Sequence, residues 1–437
     1  MKFDFDFDVK WTLISRAWMI LAGFVTVLLL PLYLDATDQG YYFTFLSVLT
    51  LQIFFELGLN QIIVQFVSHE TADGLEGQVN NYSKQCYIPS FRLMVLVQSL
   101  RRWYTVLAGL FAVLVAPIGW VFFSQDTSAN SADWLPIWIV IVIVTCLNLY
   151  FSAFLAACEG FGKVGEVSRL RFSQNLIGYI IFWLALKYDF GLMSICVVPT
   201  INAVLSHIWL SRQEWLRYGS VDDGSSIPIN WRKDIFPLQW RMAVSWISGY
   251  FIYNLFVPLT FATQGAVEAG RLGIALAIFN SISTLGLSLV NAKFSLMGKL
   301  IASSNRATLN HLFNSISMRS LVINVILCAG FLFFVWCLGN MWSQITDRIA
   351  DLKILIILSV AVVINTHISS MALYMRAHKQ EPMLLVSIVM GVLVSIGAYY
   401  GIKVSVFAML SIYLTLIVMV SFPWTLYLWC GYRRLLA

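Results

Sequence analysis

Apolar segments long enough to cross a membrane recur along the whole chain, and that recurrence excludes most folds. A helix spanning ~30 Å of hydrocarbon needs roughly 20 apolar residues. Such segments lie near 11–33, 41–67, 103–124, 134–158, 172–187, 190–211, 235–262, 270–292, 320–342, 352–374, 383–400 and 404–430, the fifth being short. Backbone groups in hydrocarbon must find their partners within the segment, so runs of this length predict helices. A chain that is 59% hydrophobic and 11% charged is not a water-soluble globule. The expected fold class is an all-α polytopic membrane protein of about twelve transmembrane helices.

Basic residues sort the loops. With the N-terminus inside, the inner loops and helix ends hold 23 of the 28 Lys and Arg, and the outer side holds Lys187, Arg271, Arg348, Lys353 and Lys403. This asymmetry predicts that both termini are cytoplasmic. The net charge of +6 then reflects membrane topology and not nucleic acid. The first segment is too long for a signal peptide and lacks a small-residue cleavage site, so it is expected to remain as a helix. Five His and seven Cys form no CxxC and no cluster, which predicts neither a structural metal nor a disulfide framework. No cofactor is expected.

The second segment, Gly40 to Glu70, carries a carboxylate, Glu56, near its middle. At that depth an acid costs ~2.5–3.5 kcal/mol on insertion scales, so it should face protein or water. Gln52, Glu56 and Asn60 fall at i, i+4 and i+8, within about 80° on one helical face. Glu56 has three readings: a proton site, an arginine partner or a polar contact between helices. An offset of 228 residues brings these three onto Asn280, Thr284 and Ser288, Leu57-Gly58-Leu59 onto Leu285-Gly286-Leu287, and Trp18 onto Trp246. Asn291 extends the stripe of the eighth segment. A looser echo joins Asn148 and Lys163 to Asn365 and Lys379.

The polar linker 212–234 lies at the midpoint, which suggests two six-helix lobes, 1–211 and 235–437, around a central cavity. Arg241, Ser245 and Ser248 share a face of the seventh segment. The cavity candidates are therefore Arg16, Gln52, Glu56, Asn60, Arg241, Ser245, Arg271, Asn280, Thr284, Asn291 and Lys293. Guanidinium groups bind phosphate oxygens bidentately, so this basic inventory suits an anionic lipid headgroup better than an organic cation.

Three other stretches carry expectations. MKFDFDFDVK reads either as an interfacial segment with its rings in the headgroups or as a frayed tail. Pro89 to Arg102 reads as a helix on the inner surface. Cys158-Glu159-Gly160-Phe161-Gly162-Lys163 reads as a glycine-broken turn and not as a phosphate-cradling loop.

Several motifs carry a family resemblance: Gly40-Tyr41-Tyr42 through Phe55-Glu56-Leu57-Gly58-Leu59-Asn60, then Glu159-Gly160-Phe161-Gly162-Lys163-Val164 with Glu166-Val167 and Arg169-Leu170-Arg171. Leu238-Gln239-Trp240-Arg241 with Ser245-Trp246 and Ser248-Gly249-Tyr250, and Arg376-Ala377-His378-Lys379-Gln380-Glu381-Pro382, complete the set. Together they resemble bacterial polysaccharide biosynthesis membrane proteins, the O-antigen and capsule flippases of the multidrug/oligosaccharidyl-lipid/polysaccharide exporter superfamily. The resemblance implies a bundle of two lobes in the bacterial inner membrane. It also implies that an undecaprenyl-pyrophosphate-linked oligosaccharide moves from the inner to the outer leaflet by alternating access, with membrane lipids and other polysaccharide assembly proteins as partners. The chain departs from the family pattern in that its deep charge is acidic and its basic residues sit nearer the helix ends.

Two other function classes compete. An ion-coupled multidrug or small-molecule antiporter of the same superfamily would favour acids in the cavity, and Glu56 is the one such residue at depth. A membrane-embedded glycan polymerase or glycosyltransferase would need catalytic groups on sizeable outer loops. Short outer loops without a nucleophile–base or carboxylate pair predict that the protein is not an enzyme.

Overall fold

The computed structural model describes residues 7–76, 91–126, 131–213, 236–303, 305–341, 347–378 and 382–435. The start of the N-terminal segment, the linker from residue 214 on, and Lys379, Gln380 and Glu381 lie outside the described residues. Within them all regular structure is helical. Among the described residues, nine helices can cross a membrane by length and composition, and eleven can when two bent pairs each count as one span. The helix Val164–Lys187 is also 24 residues long, though less apolar. With it the helices match the twelve expected spans of a multi-pass membrane protein.

Two expectations change in extent. The fifth segment, read as 172–187, begins at Val164, because Arg169, Arg171, Ser173, Gln174 and Asn175 make its first half too polar for an apolarity count. One face of this half, with Ser168 and Gln174, is buried against protein, while Arg169 and Arg171 on the other are exposed. Pro89 to Arg102 is not a separate surface helix. From Phe91 it forms the first turns of one continuous helix, α5 (Phe91–Phe123), which leads directly into its span.

The chain divides into two compact units, the first comprising Met1–Ala22 and Leu49–Trp246, the second Gly23–Val48 and Ile247–Ala437. In the first unit, helix α6 (Ser131–Gly160) packs against α4 (Leu59–Glu76), α5, α7 (Val164–Lys187) and α8 (Val197–Ser211). In the second, α14 (Leu352–Arg376) packs against α11 (Ala266–Ala292), α13 (Arg306–Met341), α16 (Val406–Leu416) and α17 (Phe422–Leu435). These two hub helices are the most buried of the membrane-length helices among the described residues, and each still exposes apolar side chains on one side, Ile139, Ile143 and Leu147 on α6 and Ile356 and Val360 on α14. Asn148 and Asn365, which echo one another in sequence, each sit on the hub helix of their unit.

The segment Gly23–Val48 joins the second unit through a close helix crossing. Helix α2 (Ala36–Leu49) meets α11 where Gly40 faces the Ala266 backbone and Gly270 faces Gly40. A Cβ at Gly40 would overlap the Ala266 carbonyl, and one at Gly273 would overlap the Phe43 ring. Tyr41 then packs edge-on against Phe261, with ring centroids 5.1 Å apart.

Candidate functional site

The second membrane span is broken at its carboxylate. After α2 come a 3-10 turn, Thr50–Gln52, and a single helical turn, α3 (Ile53–Glu56). Leu57 and Gly58 then take left-handed φ values of 47° and 73° before α4 begins at Leu59. Glycine adopts this conformation freely, whereas for leucine it is uncommon. The two halves of the span are bent by 45°. A broken membrane helix leaves backbone groups without helical partners, and such breaks in transporters line cavities.

The break places Glu56 in a polar cluster. Gln52 Nε2 donates to Glu56 Oε1 at 2.7 Å, and Ser152 is a further neighbour of the carboxylate. Asn60, expected on the same face of one helix, lies beyond the break and joins through other elements. Its Nδ2 donates to Ser152 Oγ at 3.2 Å, and the buried Tyr104 hydroxyl donates to its Oδ1 at 3.0 Å. Among the described residues the groups bonded to Glu56 are uncharged, so its reading as an arginine partner has no support from them.

A cavity of about 510 Å³ adjoins this cluster inside the first unit. Its polar wall comes from α4, α6, α7 and α8 and includes Asn60, Asn148, Ser152, Gln174, Asn202 and Ser206. Its other end holds the ion pair Arg171–Glu159, 2.8 Å long. Glu159 lies in the last turn of α6, eleven residues from Asn148, so the polar wall runs about 16 Å along that helix at 1.5 Å per residue. The helix is ended by the turn read from its glycines. Gly162 takes φ 87°, Lys163 N–H donates to the Cys158 carbonyl and Gly162 N–H to the Glu159 carbonyl, a Schellman closure.

Of these wall residues only Asn60 was among the sequence candidates. The others carried a signal of the same kind: Asn148 and Ser152 on α6, and Asn202 and Ser206 on α8, are each polar pairs at i and i+4. Each pair is too short to stand out from ordinary helix contacts.

Arg16 and Ser245 are not among the residues of this cluster. Arg16 is exposed on α1 (Phe7–Tyr33), and Ser245 is half-buried on α9 (Phe236–Tyr253). Arg241 lies on α9 too, with its side chain outside the described residues.

In the second unit the stripe of α11 is exposed. Between residues 271 and 290 the exposed positions are Asn280, Thr284 and Ser288, and Asn291 and Lys293 follow, also exposed. Thr284 and Ser288 turn their hydroxyls onto their own helix, donating to the Asn280 and Leu285 carbonyls at 2.8 and 2.6 Å. Hydrocarbon cannot hydrogen-bond the exposed Asn280 and Asn291 amides, however, so these call for polar surroundings. By contrast α5 exposes Trp103, Val106, Leu110, Val113 and Ile118, as a lipid face does. Arg271 stands apart from the stripe. Its Nη1 pairs with Glu268 at 2.6 Å and its Nε donates to the Asp347 carbonyl at 2.7 Å, so these two donors are already engaged. The repeated Leu-Gly-Leu motif is used differently here: α11 runs straight through Leu285-Gly286-Leu287. Gly286 instead admits Asn324, which a Cβ would overlap, and its carbonyl accepts from Ser320 Oγ at 2.7 Å.

The whole chain superposes on transporters of known structure. An inward-facing multidrug resistance MATE family transporter of the MOP superfamily matches with TM-score 0.63 at 13% identity, covering 96% of each chain. Lipid II flippase MurJ in an inward closed conformation matches with TM-score 0.67 at 14% identity, covering 95% of this chain and 86% of the other. A MOP superfamily transporter from Pyrococcus furiosus, described by a reversed polarity of its binding pocket, matches with TM-score 0.56 at 12% identity over 98% and 94%. No protein-family model and no curated protein matches the sequence. At these identities the likeness is one of fold: the chain has the fold of MOP-superfamily transporters and of a lipid flippase.

Proposed function

On this transporter fold, we propose that the protein is a flippase for an undecaprenyl-pyrophosphate-linked oligosaccharide, an O-antigen or capsule repeat unit. It would carry this lipid from the inner to the outer leaflet of the bacterial cytoplasmic membrane by alternating access, with both termini cytoplasmic. The observation that carries the reading is the exposed stripe Asn280, Thr284, Ser288 and Asn291, ending at Lys293. It offers uncharged hydrogen-bonding groups for sugar hydroxyls and a cation for a phosphate, with no acid to attract an organic cation. Unaided passage of a pyrophosphate and several sugars through hydrocarbon would leave charges and hydroxyls without partners, which is prohibitive. The MurJ neighbour is named for a lipid-linked substrate, which agrees with this proposal.

Glu56 favours a second reading, an ion-coupled multidrug or small-molecule antiporter, because the described residues give its carboxylate no cation partner. One experiment separates the two. The gene is deleted in its own host, and surface polysaccharide, lipid-linked oligosaccharide and drug susceptibility are compared with a complemented strain. The flippase reading expects surface glycan to vanish and the lipid-linked precursor to accumulate. Intact glycan with altered drug susceptibility would overturn it in favour of the antiporter.

A further inference from the structure

We infer that the cavity of the first unit is a binding site for a neutral polyhydroxylated group, a sugar ring, which it holds through side-chain amide oxygens. The polarity of its wall is set by the hydrogen bonds behind it. Asn148 Nδ2 donates to the Val144 and Pro199 carbonyls at 3.0 and 2.9 Å. Carbonyl oxygens only accept, so the bonded atom must be the nitrogen and the amide oxygen is left over. Gln174 repeats the arrangement, with Nε2 donating to the Asn202 carbonyl at 3.0 Å and to Ser206 Oγ at 2.8 Å. Asn175 does so again, with Nδ2 on the Arg171 carbonyl at 2.8 Å. Asn202 Oδ1 is buried without a partner. All four residues line the cavity, and Asn148, Gln174 and Asn175 do so with their amide nitrogens already donating, which leaves three amide oxygens as acceptors. A ligand rich in O–H groups supplies the donors that such oxygens accept.

Other ligand classes fit this wall less well. The acid Glu159 is paired with Arg171, so the site offers a free charge neither to an organic cation nor to a phosphate. No aromatic ring lies among the lining residues to hold a cation by its face. A bare metal ion needs oxygens converging at roughly 2.3–2.6 Å. A cavity of about 510 Å³ is instead the size of a small-molecule pocket, commonly roughly 300–1,000 Å³. Met19, Val64, Leu155 and Ala156 give it an apolar side against which the C–H face of a sugar ring can lie.

The inference rests on the flippase reading only for the source of the sugar, and its test needs no transport. The purified full-length protein in lipid nanodiscs is titrated with glucose, N-acetylglucosamine or fucose, and saturation transfer to the sugar protons is read by NMR. At least one sugar is expected to bind, and Asn148→Leu and Asn175→Leu are each expected to weaken it about tenfold, equivalent to about 1.4 kcal/mol. Should Asn148→Leu fail to fold, Asn175→Leu decides, since its amide bonds only its own helix. Binding of no sugar overturns the site, as does unchanged binding in folded Asn175→Leu. Thermal stabilisation by sodium chloride over choline chloride, without any sugar binding, would overturn it in favour of a cation site. Accumulation of lipid-linked precursor in the deletion strain judges the flippase reading separately.

Discussion

Replacing Glu56 by glutamine tests whether its charge is used or only its shape. Gln52 reaches the carboxylate through one 2.7 Å hydrogen bond, and a glutamine at position 56 offers an amide oxygen at nearly the same place. A bond to a charged acceptor contributes roughly 1.5–3 kcal/mol and a neutral one roughly 0.5–1.5, so about 1 kcal/mol is lost there. Against this, the ~2.5–3.5 kcal/mol insertion penalty of a deep acid is partly relieved. The two changes nearly cancel, so Glu56→Gln is expected to fold normally, with a melting shift of no more than a few degrees. If the carboxylate serves transport, glycan export should fall at least tenfold at normal abundance, because a deep ionisable group is costly to retain for packing alone. Melting in detergent and surface glycan measured on the same strains provide the assay. Loss of protein from the membrane would refute the isosteric argument. Wild-type export at wild-type abundance would refute a working role for the charge.

Other outcomes follow from single contacts. Arg241→Ala, at the start of α9, should reduce glycan export without loss of protein from the membrane, and normal export at normal abundance removes it from the site. Tyr104→Phe deletes the donor to Asn60 Oδ1 inside a buried cluster and should cost about 1–2 kcal/mol, read as a lower melting midpoint. Gly40→Leu drives a side chain into the Ala266 carbonyl and should destabilise by at least about 1–3 kcal/mol. Gly23→Ala, where nothing lies within 4 Å of the added carbon, should be neutral or stabilise by up to about 1 kcal/mol.

The sites divide by how far apart in the chain their partners lie. Glu56 was legible because a carboxylate inside an apolar run stands out, and its bond to Gln52 spans one helical turn. The stripe Asn280, Thr284 and Ser288 was legible because helical periodicity alone places it on one face. Arg271 was legible as a charge, but its engagement with the Asp347 carbonyl, 76 residues away, left no periodic trace. The cavity wall was missed for the same reason: Asn60 meets Ser152 across 92 residues, and Gln174 meets Ser206 across 32.

What the sequence by itself determined is the helical membrane class and the spans, because apolar length and internal backbone hydrogen bonding are local constraints that any membrane chain must meet. It also made Glu56 and the stripe Asn280, Thr284 and Ser288 visible as polar positions within apolar runs. Tertiary structure alone decided that Gly23–Val48 packs within the second unit, where Gly40 and Gly270 allow two backbones to touch. It alone decided that Leu57-Gly58 breaks a helix while Leu285-Gly286 admits a neighbouring Asn324. The same three letters serve both ends because a glycine permits either a left-handed turn or a close approach. Which of the two occurs depends on the helix packed beside it.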